Sequence, residues 1–364
     1  MNERLAALRG LLDTRGLDAI ALSRSANKRY FSGFRLSDSE GPTFGWSGTL
    51  LVTRDATMIL ADSRYTEQAQ AEAPDWELIP TAGRMDEELP PLLRRRRVEA
   101  LGLEALVVSH ADWAALAQVA PGVELHAMDE ELMRLRIVKA ASEVDAIGRA
   151  CALTDACFAH LMDFVKPGMT ERAVAWELES YFRANGAEEL AFDAIVLAGP
   201  RAAMPHGRPS DAVVERGNVL LLDFGCAVDG YRSDMTRTVF VGDVPDQIRR
   251  YHVAVREAQA AVIDALAVGV NGQELDAIAR RRIEAEGVEP YGHGLGHGIG
   301  LETHEPPRLR AAEACTLEAG MVFSVEPGIY LPGVTGIRIE DIVALESSGP
   351  RLLTTSPREA LVIG

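Results

Sequence analysis

The sequence lacks any run of about eighteen consecutive apolar residues, the length a helix needs to cross a membrane, so no membrane helix is expected. It is also poor in cysteine. The four present, Cys151, Cys157, Cys226 and Cys315, form no CxxC pair, which argues against a disulfide framework and for reduced thiols. Positive charge is in deficit: 37 lysines and arginines stand against 54 acidic residues, a net charge of −17. Such a surface repels phosphate backbones and anionic lipid, so neither nucleic acid nor a membrane is expected as a partner. The basic run Arg94–Arg97 is the exception, and it reads as a solvated helix end. The opening stretch MNERLAALRGLLDTRG lacks the charged start and apolar block of a signal peptide, and a cytoplasmic location is expected. What is present is apolar material: 47% of 364 residues, enough for one large domain or two of ordinary size.

Helix and strand signals alternate through the first third. Leu5, Leu8 and Leu12 line one face of a helix that Gly16 can end. DAIAL reads as a strand, TLLVT and ATMIL as a hairpin around Arg54-Asp55, LEALVVS and VELHAM as further strands, and HADWAALAQ as a helix between them. From about Glu130 a helical pattern runs through Val165, and the domain boundary is placed near its start. Residues 1–133 are then a small α/β domain and residues 134–364 a second one. The second contains an internal echo. KPGMTERAV…RANGAEEL aligns with AVGVNGQEL…EAEGVEPY, pairing Gly168 with Gly269, Thr170 with Asn271 and Gly186 with Gly287. Each unit offers a glycine, an N-cap residue, a helix and a stop glycine. Two helix-plus-hairpin units packed strands together, helices outside, make an α+β domain whose concave sheet face offers a pocket.

In VLLLDFGCAVDGYRSDMTRTVFVG two apolar strands flank Asp229-Gly230, a type I′ hairpin signal. That register pairs Val228 with Tyr231 and puts Asp223 and Asp234 diagonally on one face. The bland reading is that each aspartate caps a turn or pairs with Arg232 or Arg237. In MVFSVEPGIYLPGVTGIRIEDIVAL a register centred on Gly333 sets Glu326 opposite Glu340. Facing glutamates repel unless protonated or neutralised, and Arg338 can meet only one of them well. HGLGHGIGLETHE gathers His293, His297 and His304, three of eight histidines, within twelve residues of glycine-rich chain. Four carboxylates and an imidazole converging from three segments would be intolerable without counter-charge. Two divalent cations would supply it, and such a donor set suits Mn²⁺, Fe²⁺, Co²⁺ or Zn²⁺.

The order LLDFG, SDMTRT, HGLGHGIGLETHE, VEPGIY, GIRIED resembles the pita-bread metallopeptidases that cleave Xaa-Pro bonds, aminopeptidase P and prolidase, over residues 134–364. ILADSRYTEQAQAEA resembles the creatinase-type first domain of small bacterial aminopeptidases P. The resemblance implies a pita-bread second domain, two divalent ions per chain (Mn²⁺ first, with Co²⁺ or Zn²⁺ as alternatives), proline-containing peptides as substrates, and a homodimer or higher homo-oligomer. It implies that Asp223 and Asp234 are metal ligands, Asp234 bridging, that His297 and Glu326 serve the second metal, and that Glu340 bridges. Glu326 would also accept or shuttle a proton. His206, in AAMPHGRPSD, would steady the substrate, His304 would contact the scissile carbonyl region, His293 would line the pocket, and Arg338 would orient the site near Glu340.

Other residues read more plainly. His110, His126, His160 and His252 lie outside these motifs as surface or core histidines, and Cys226 reads as core. HEPPRLR reads as a turn, with Arg308 a candidate partner for a substrate carboxylate. Three alternatives stand beside the main reading. A metal-free creatine hydrolase would lack the carboxylates present here. Methionine aminopeptidase shares the ligands but not a domain like residues 1–130. A non-catalytic pita-bread module that binds proteins would have lost ligands. Within the proline-specific group, prolidase clamps both ends of a dipeptide, whereas aminopeptidase P leaves the far end open. DSRYTEQA favours aminopeptidase P, with prolidase the alternative. The insertion RLSDSEGPTFGW, Arg35–Trp46, is expected to be a mobile loop reaching the active site of its own or a neighbouring subunit.

Overall fold

A computed structural model describes residues 2–35, 47–82 and 85–364, so nearly all of the Arg35–Trp46 insertion, residues 36–46, lies outside the described residues. The chain divides into two compact units, Met1–Arg136 and Ile137–Gly364. In the first, helix Asn2–Arg15 buries Leu8 and Leu12, and Gly16 follows in the left-handed region at φ 65°. A six-stranded sheet runs in the order Glu77–Pro80, Thr57–Ala61, Thr49–Thr53, Ala19–Leu22, Ala100–Leu103, Glu124–Ala127. The hairpin turns at Arg54-Asp55, as its sequence predicts. The LEALVVS strand is corrected: the strand is Ala100–Leu103, and the chain leaves the sheet at Glu104. The reason is polar. The fully enclosed Glu104 carboxylate accepts bonds from the backbone N–H groups of Ser23 and Arg24 and from the Asn27 amide, and Asp129 takes the N–H groups of Ala105 and Leu106. Arg94, Arg95 and Arg96 of the arginine run form the last turn of helix Met85–Arg96, and Arg97 follows it at φ 55°.

The helical stretch from Glu130 to Val165 is two helices rather than one, Asp129–Ile137 and Ala141–Phe164. Between them Val138 bridges Met321, and the Lys139 N–H donates to the Gly320 carbonyl at 2.8 Å; these sheet-like bonds cost the helix its continuity. The internal echo is structural. Helices Ala141–Phe164 and Glu171–Ala184 are matched by Asp246–Ala265 and Gly272–Glu284. Thr170 and Asn271 cap the second helix of each pair through their side-chain oxygens. Gly168 and Gly269, at φ 96° and 92°, donate to the carbonyls of Val214 and Leu317. Each helix pair packs its apolar face on its own strands. Phe158, Leu178 and Phe182 meet Leu222 and Phe224 on one side, and Val255, Val262 and Leu275 meet Phe323 and Val343 on the other. Burial of those stripes is what holds helices outside and strands inside.

The strands form a four-stranded sheet (Val362–Ile363, Met235–Val241, Val219–Phe224, Ile195–Ala198), a five-stranded one (Glu305–Leu309, Gly296–Gly298, Val322–Val325, Asp341–Glu346, Gly349–Leu352), a three-stranded one (Tyr231–Arg232, Cys226–Val228, Glu189–Leu190) and a two-stranded one (Gly328–Leu331, Thr335–Arg338). Both hairpin registers hold. Val228 pairs with Tyr231 and Asp223 with Thr236 around a turn whose Asp229 and Gly230 both have positive φ, 50° and 76°. Gly328 pairs with Arg338 and Val325 with Asp341, which leaves Glu326 and Glu340 facing each other where the two ladders meet. HEPPRLR is corrected from a turn to the edge strand Glu305–Leu309. An edge position tolerates proline because no ladder bond is needed on its outer side.

Candidate metal centre and active site

The ten residues singled out in the sequence line one cleft of about 400 Å³ in the second unit: His206, Asp223, Asp234, His293, His297, His304, Arg308, Glu326, Arg338 and Glu340. Alternation along strand Val219–Phe224 turns Asp223 inward, whereas Asp234, Glu326 and Glu340 sit in the short breaks between consecutive strands. The glycines around His297 have a steric reason. A Cβ on Gly296 would sit 2.0 Å from the Ser324 carbonyl oxygen, and one on Gly298 would sit 2.1 Å from that of Pro306. The short strand Gly296–Gly298 is squeezed between two neighbours, and only glycine on both sides lets His297 enter the cleft there.

His297 Nδ1 faces the Gly298 carbonyl at 3.2 Å, so the ring carries its proton on that side. The Nε2 lone pair then faces Asp234 Oδ2 at 3.7 Å and Glu326 Oε1 at 3.5 Å. Burial, reinforced by neighbouring His304, pushes the His297 pKa down to about 3, so the ring is neutral and cannot offset those acids. Burial also raises Asp234 and Glu326 well above the usual carboxylate range, with Glu340 and Asp223 adding repulsion, and lifts Glu340 to about 8. Three buried oxygens, Asp223 Oδ1, Asp234 Oδ1 and Glu340 Oε1, have no hydrogen-bond partner. Asp234, His297 and Glu340 each present one donor atom, all within 4.8 Å of one another. A lone pair, orphaned oxygens and converging carboxylates with one arginine among them fit divalent cations and fit nothing apolar.

Arg338 makes no direct hydrogen bond to either facing glutamate, although its charge eases the ionisation of both. It ion-pairs with Asp223, donates from Nε to Thr236 Oγ1 at 3.0 Å and from Nη1 to Tyr330 Oη at 2.8 Å. The bland reading of Asp223 is therefore half right: an arginine meets it, but neither Arg232 nor Arg237. Arg237 runs behind the strands to Asp341, and Arg232 reaches Glu189 and the Ala191 carbonyl. Thr236 Oγ1 donates onward to Glu340 Oε2 at 2.7 Å. Sequence reasoning missed Tyr330 and Thr236, although both stand inside quoted motifs. Burial keeps the Tyr330 phenol protonated, its pKa pushed up to about 12. Its hydroxyl lies 2.9 Å from His293 Nε2, while His293 Nδ1 faces the Gly294 carbonyl at 2.7 Å, so Tyr330 donates and His293 accepts.

Above this floor the His304 ring packs against His297 at a tilt of 48°, centroids 4.2 Å apart. Burial and the nearby His206 and Arg308 lower its pKa. Arg308 stands opposite His297 in the ladder, exposed, its guanidinium in no hydrogen bond or ion pair with the described residues. His126, His160 and His252 lie outside the cleft; His160 stacks on Tyr181 and bonds Glu177, and His252 is buried edge-on to Phe240.

The chain belongs to metallopeptidase family M24, whose profile matches residues 145–347, and the creatinase/prolidase N-terminal domain matches residues 4–138. It is a metallopeptidase of the pita-bread fold. It is 35% identical over 363 residues to the Xaa-Pro dipeptidase of Pyrococcus furiosus, covering 99% of this chain and 100% of that one. Among solved structures, an Xaa-Pro dipeptidase from Bacillus anthracis superposes with a TM-score of 0.92 at 35% identity over 99% of each chain. An X-Pro aminopeptidase from Thermotoga maritima gives 0.87 at 37% identity, over 96% of this chain and 98% of that one. Among the described residues no helix is long and apolar enough to cross a membrane.

Proposed function

We propose that this protein is an Xaa-Pro dipeptidase working with two divalent cations, Mn²⁺ in the first instance. Asp223, Asp234, His297, Glu326 and Glu340 would hold them, which is supported by the orphaned oxygens and the lone pair of His297. When bound, the cations polarise the scissile carbonyl and lower the pKa of water. The remaining chemistry belongs to the chain. Glu326 takes a proton from the attacking water and returns it to the proline nitrogen, which has no N–H of its own. His304 and His206 donate to the carbonyl oxygen as its negative charge grows. The chain Arg338–Tyr330–His293 fixes the pocket wall, and Arg338 holds Asp223 in place.

The observation that carries the choice of a dipeptide is Arg308. An uncommitted guanidinium in the cleft, on the strand opposite His297, suits a carboxylate one residue beyond the scissile bond. This departs from the aminopeptidase P reading that DSRYTEQA favoured, and the two dipeptidases that align over almost the whole chain support the change. The Thermotoga maritima aminopeptidase keeps a second reading open, in which the far end of the substrate is free. Rates on Ala-Pro and Ala-Pro-Ala with Mn²⁺ separate them. The dipeptide is expected to be preferred, and Arg308→Ala to lower kcat/KM on it by about ten- to a hundredfold while changing the tripeptide little. Wild-type preference for the tripeptide would make this an aminopeptidase.

A further inference from the structure

Glu171 is a charged side chain with no exposed surface; it belongs to the repeat stretch KPGMTERAV but to none of the metal-site motifs. Away from a cation site, a carboxylate buried at such depth needs its lone pairs filled, and here they are. Oε1 accepts from the Ala198 N–H at 2.8 Å, Oε2 accepts from the Ser210 N–H at 2.9 Å and the Ser210 hydroxyl at 2.7 Å, and Arg201 Nε lies 3.0 Å from both oxygens. Arg201 in turn donates to the Arg208 carbonyl at 2.8 Å. One carboxylate thus ties together the two ends of the segment 198–210, and His206 stands on the span between. The His206 ring makes no hydrogen bond with the described residues, so the backbone of that span decides where it sits in the cleft. The duplication supplies a contrast. The matching position in the second half is Gly272, where a Cβ would meet Leu309 Cα at 3.4 Å, so a strand occupies the space that the carboxylate fills in the first half.

We propose that Glu171 is a positioning residue for His206, a clip that closes the 198–210 span and so aims the histidine at the substrate. The proposal rests on the dipeptidase reading, in which His206 steadies the reacting carbonyl. Its test is a double-mutant cycle on the Mn²⁺-loaded enzyme with Ala-Pro, alongside metal content and hydrogen exchange of residues 199–210. Expected are a fall in kcat of about ten- to a hundredfold for His206→Ala and of about tenfold for Glu171→Gln, with KM within about twofold. In the His206→Ala background Glu171→Gln should change kcat by less than about twofold, because the group it aims is gone. Exchange should accelerate across 199–210 with metal content unchanged. An equal loss in both backgrounds, as from a smaller folded fraction, overturns the proposal, and so does unchanged exchange. Should Glu171→Gln fail to fold, Ser210→Ala removes the hydroxyl that donates to Glu171 and accepts from the Ala212 N–H, and leaves the carboxylate. It is expected to cost about two- to fivefold in kcat with the same non-additivity, and additivity there overturns the clip. If the wild type leaves Ala-Pro intact, the dipeptidase reading fails on its own. The exchange arm then decides for the clip when acceleration is confined to 199–210, and against it when exchange is unchanged.

Discussion

Single side chains in this protein do separable jobs. Asp234 and Glu340 leave buried oxygens unpartnered, so truncating either removes a proposed cation contact and leaves its neighbours' charge uncompensated. Asp234→Ala and Glu340→Ala are expected to abolish turnover and metal binding together, and near wild-type turnover in either would reject the assignment. His297→Ala should lower metal content. His304→Ala should retain the metal and lower kcat by about ten- to a hundredfold, because its contact strengthens only as charge develops. Metal analysis beside kinetics on the same samples distinguishes the two histidines. Outside the cleft, His252 makes a stability prediction. Burial, with the Arg256 charge adding, lowers its pKa to about 4 from 6.5. A group with a depressed folded pKa binds fewer protons when folded, so its stability contribution is full above pH 6.5 and lost as pH falls towards 4. That loss is at most about 3 kcal/mol. Urea melts between pH 7 and 4 should show it in the wild type and a flatter profile in His252→Gln.

At the level of elements, turn chemistry and steric squeeze decide where the side chains arrive. Asp229-Gly230 and Gly333 set the two hairpin registers through positive φ, and those registers bring Asp223 on its strand and Asp234, Glu326 and Glu340 at the strand breaks into one cleft. The strand Gly296–Gly298 shows the squeeze. Gly298→Ala would press a methyl group 2.1 Å from a backbone oxygen that has little room to give. It should cost about 1–3 kcal/mol of stability and weaken metal binding by displacing His297. Gly292→Ala is the control in the same segment, since nothing lies within 4 Å of the added carbon. Equal melting temperatures and metal affinities for the two variants would remove the steric account.

At the scale of the whole molecule, buried carboxylates repel one another in the cleft, and a bound cation would relieve that repulsion. In the metal-free protein Glu340 is held near pH 8, and Asp234 and Glu326 well above their usual range, by burial first and by one another second. The folded state then binds more protons than the unfolded one. Stability is full below the ordinary carboxylate range and falls as pH rises through it towards 8. Chelated protein should therefore melt at a lower temperature at pH 8 than at pH 5.5. Added Mn²⁺ should reverse the loss and release protons, which calorimetry in buffers of different ionisation enthalpy would read. A chelated protein that gains stability with pH over that interval would contradict the charged-cleft account.

Much of this was legible in the chain, for a physical reason. Turn dipeptides, N-caps and period-two alternation act over a few residues, so both hairpin registers, the duplicated helix units and the converging carboxylates could be read from local pattern, whereas His206 and the roles of the other cleft residues came from the family resemblance of the motif order. Where reading failed locally, a distant group had intervened. The strand expected at LEALVVS ends at Glu104 because backbone groups some eighty residues away bind that carboxylate, and the helix through Val165 breaks where the Gly320 carbonyl captures Lys139. The same cause explains what only the tertiary structure decided. Asp223 takes Arg338, 115 residues away, over the nearer Arg232 and Arg237, because sheet packing sends those two elsewhere. Tyr330 orients His293, and Glu171 closes the span that carries His206, through contacts that exist only once the strands are assembled. Short-range geometry is written in the order of residues, whereas the choice among several chemically equal partners is made by the packing that brings one of them within hydrogen-bond reach.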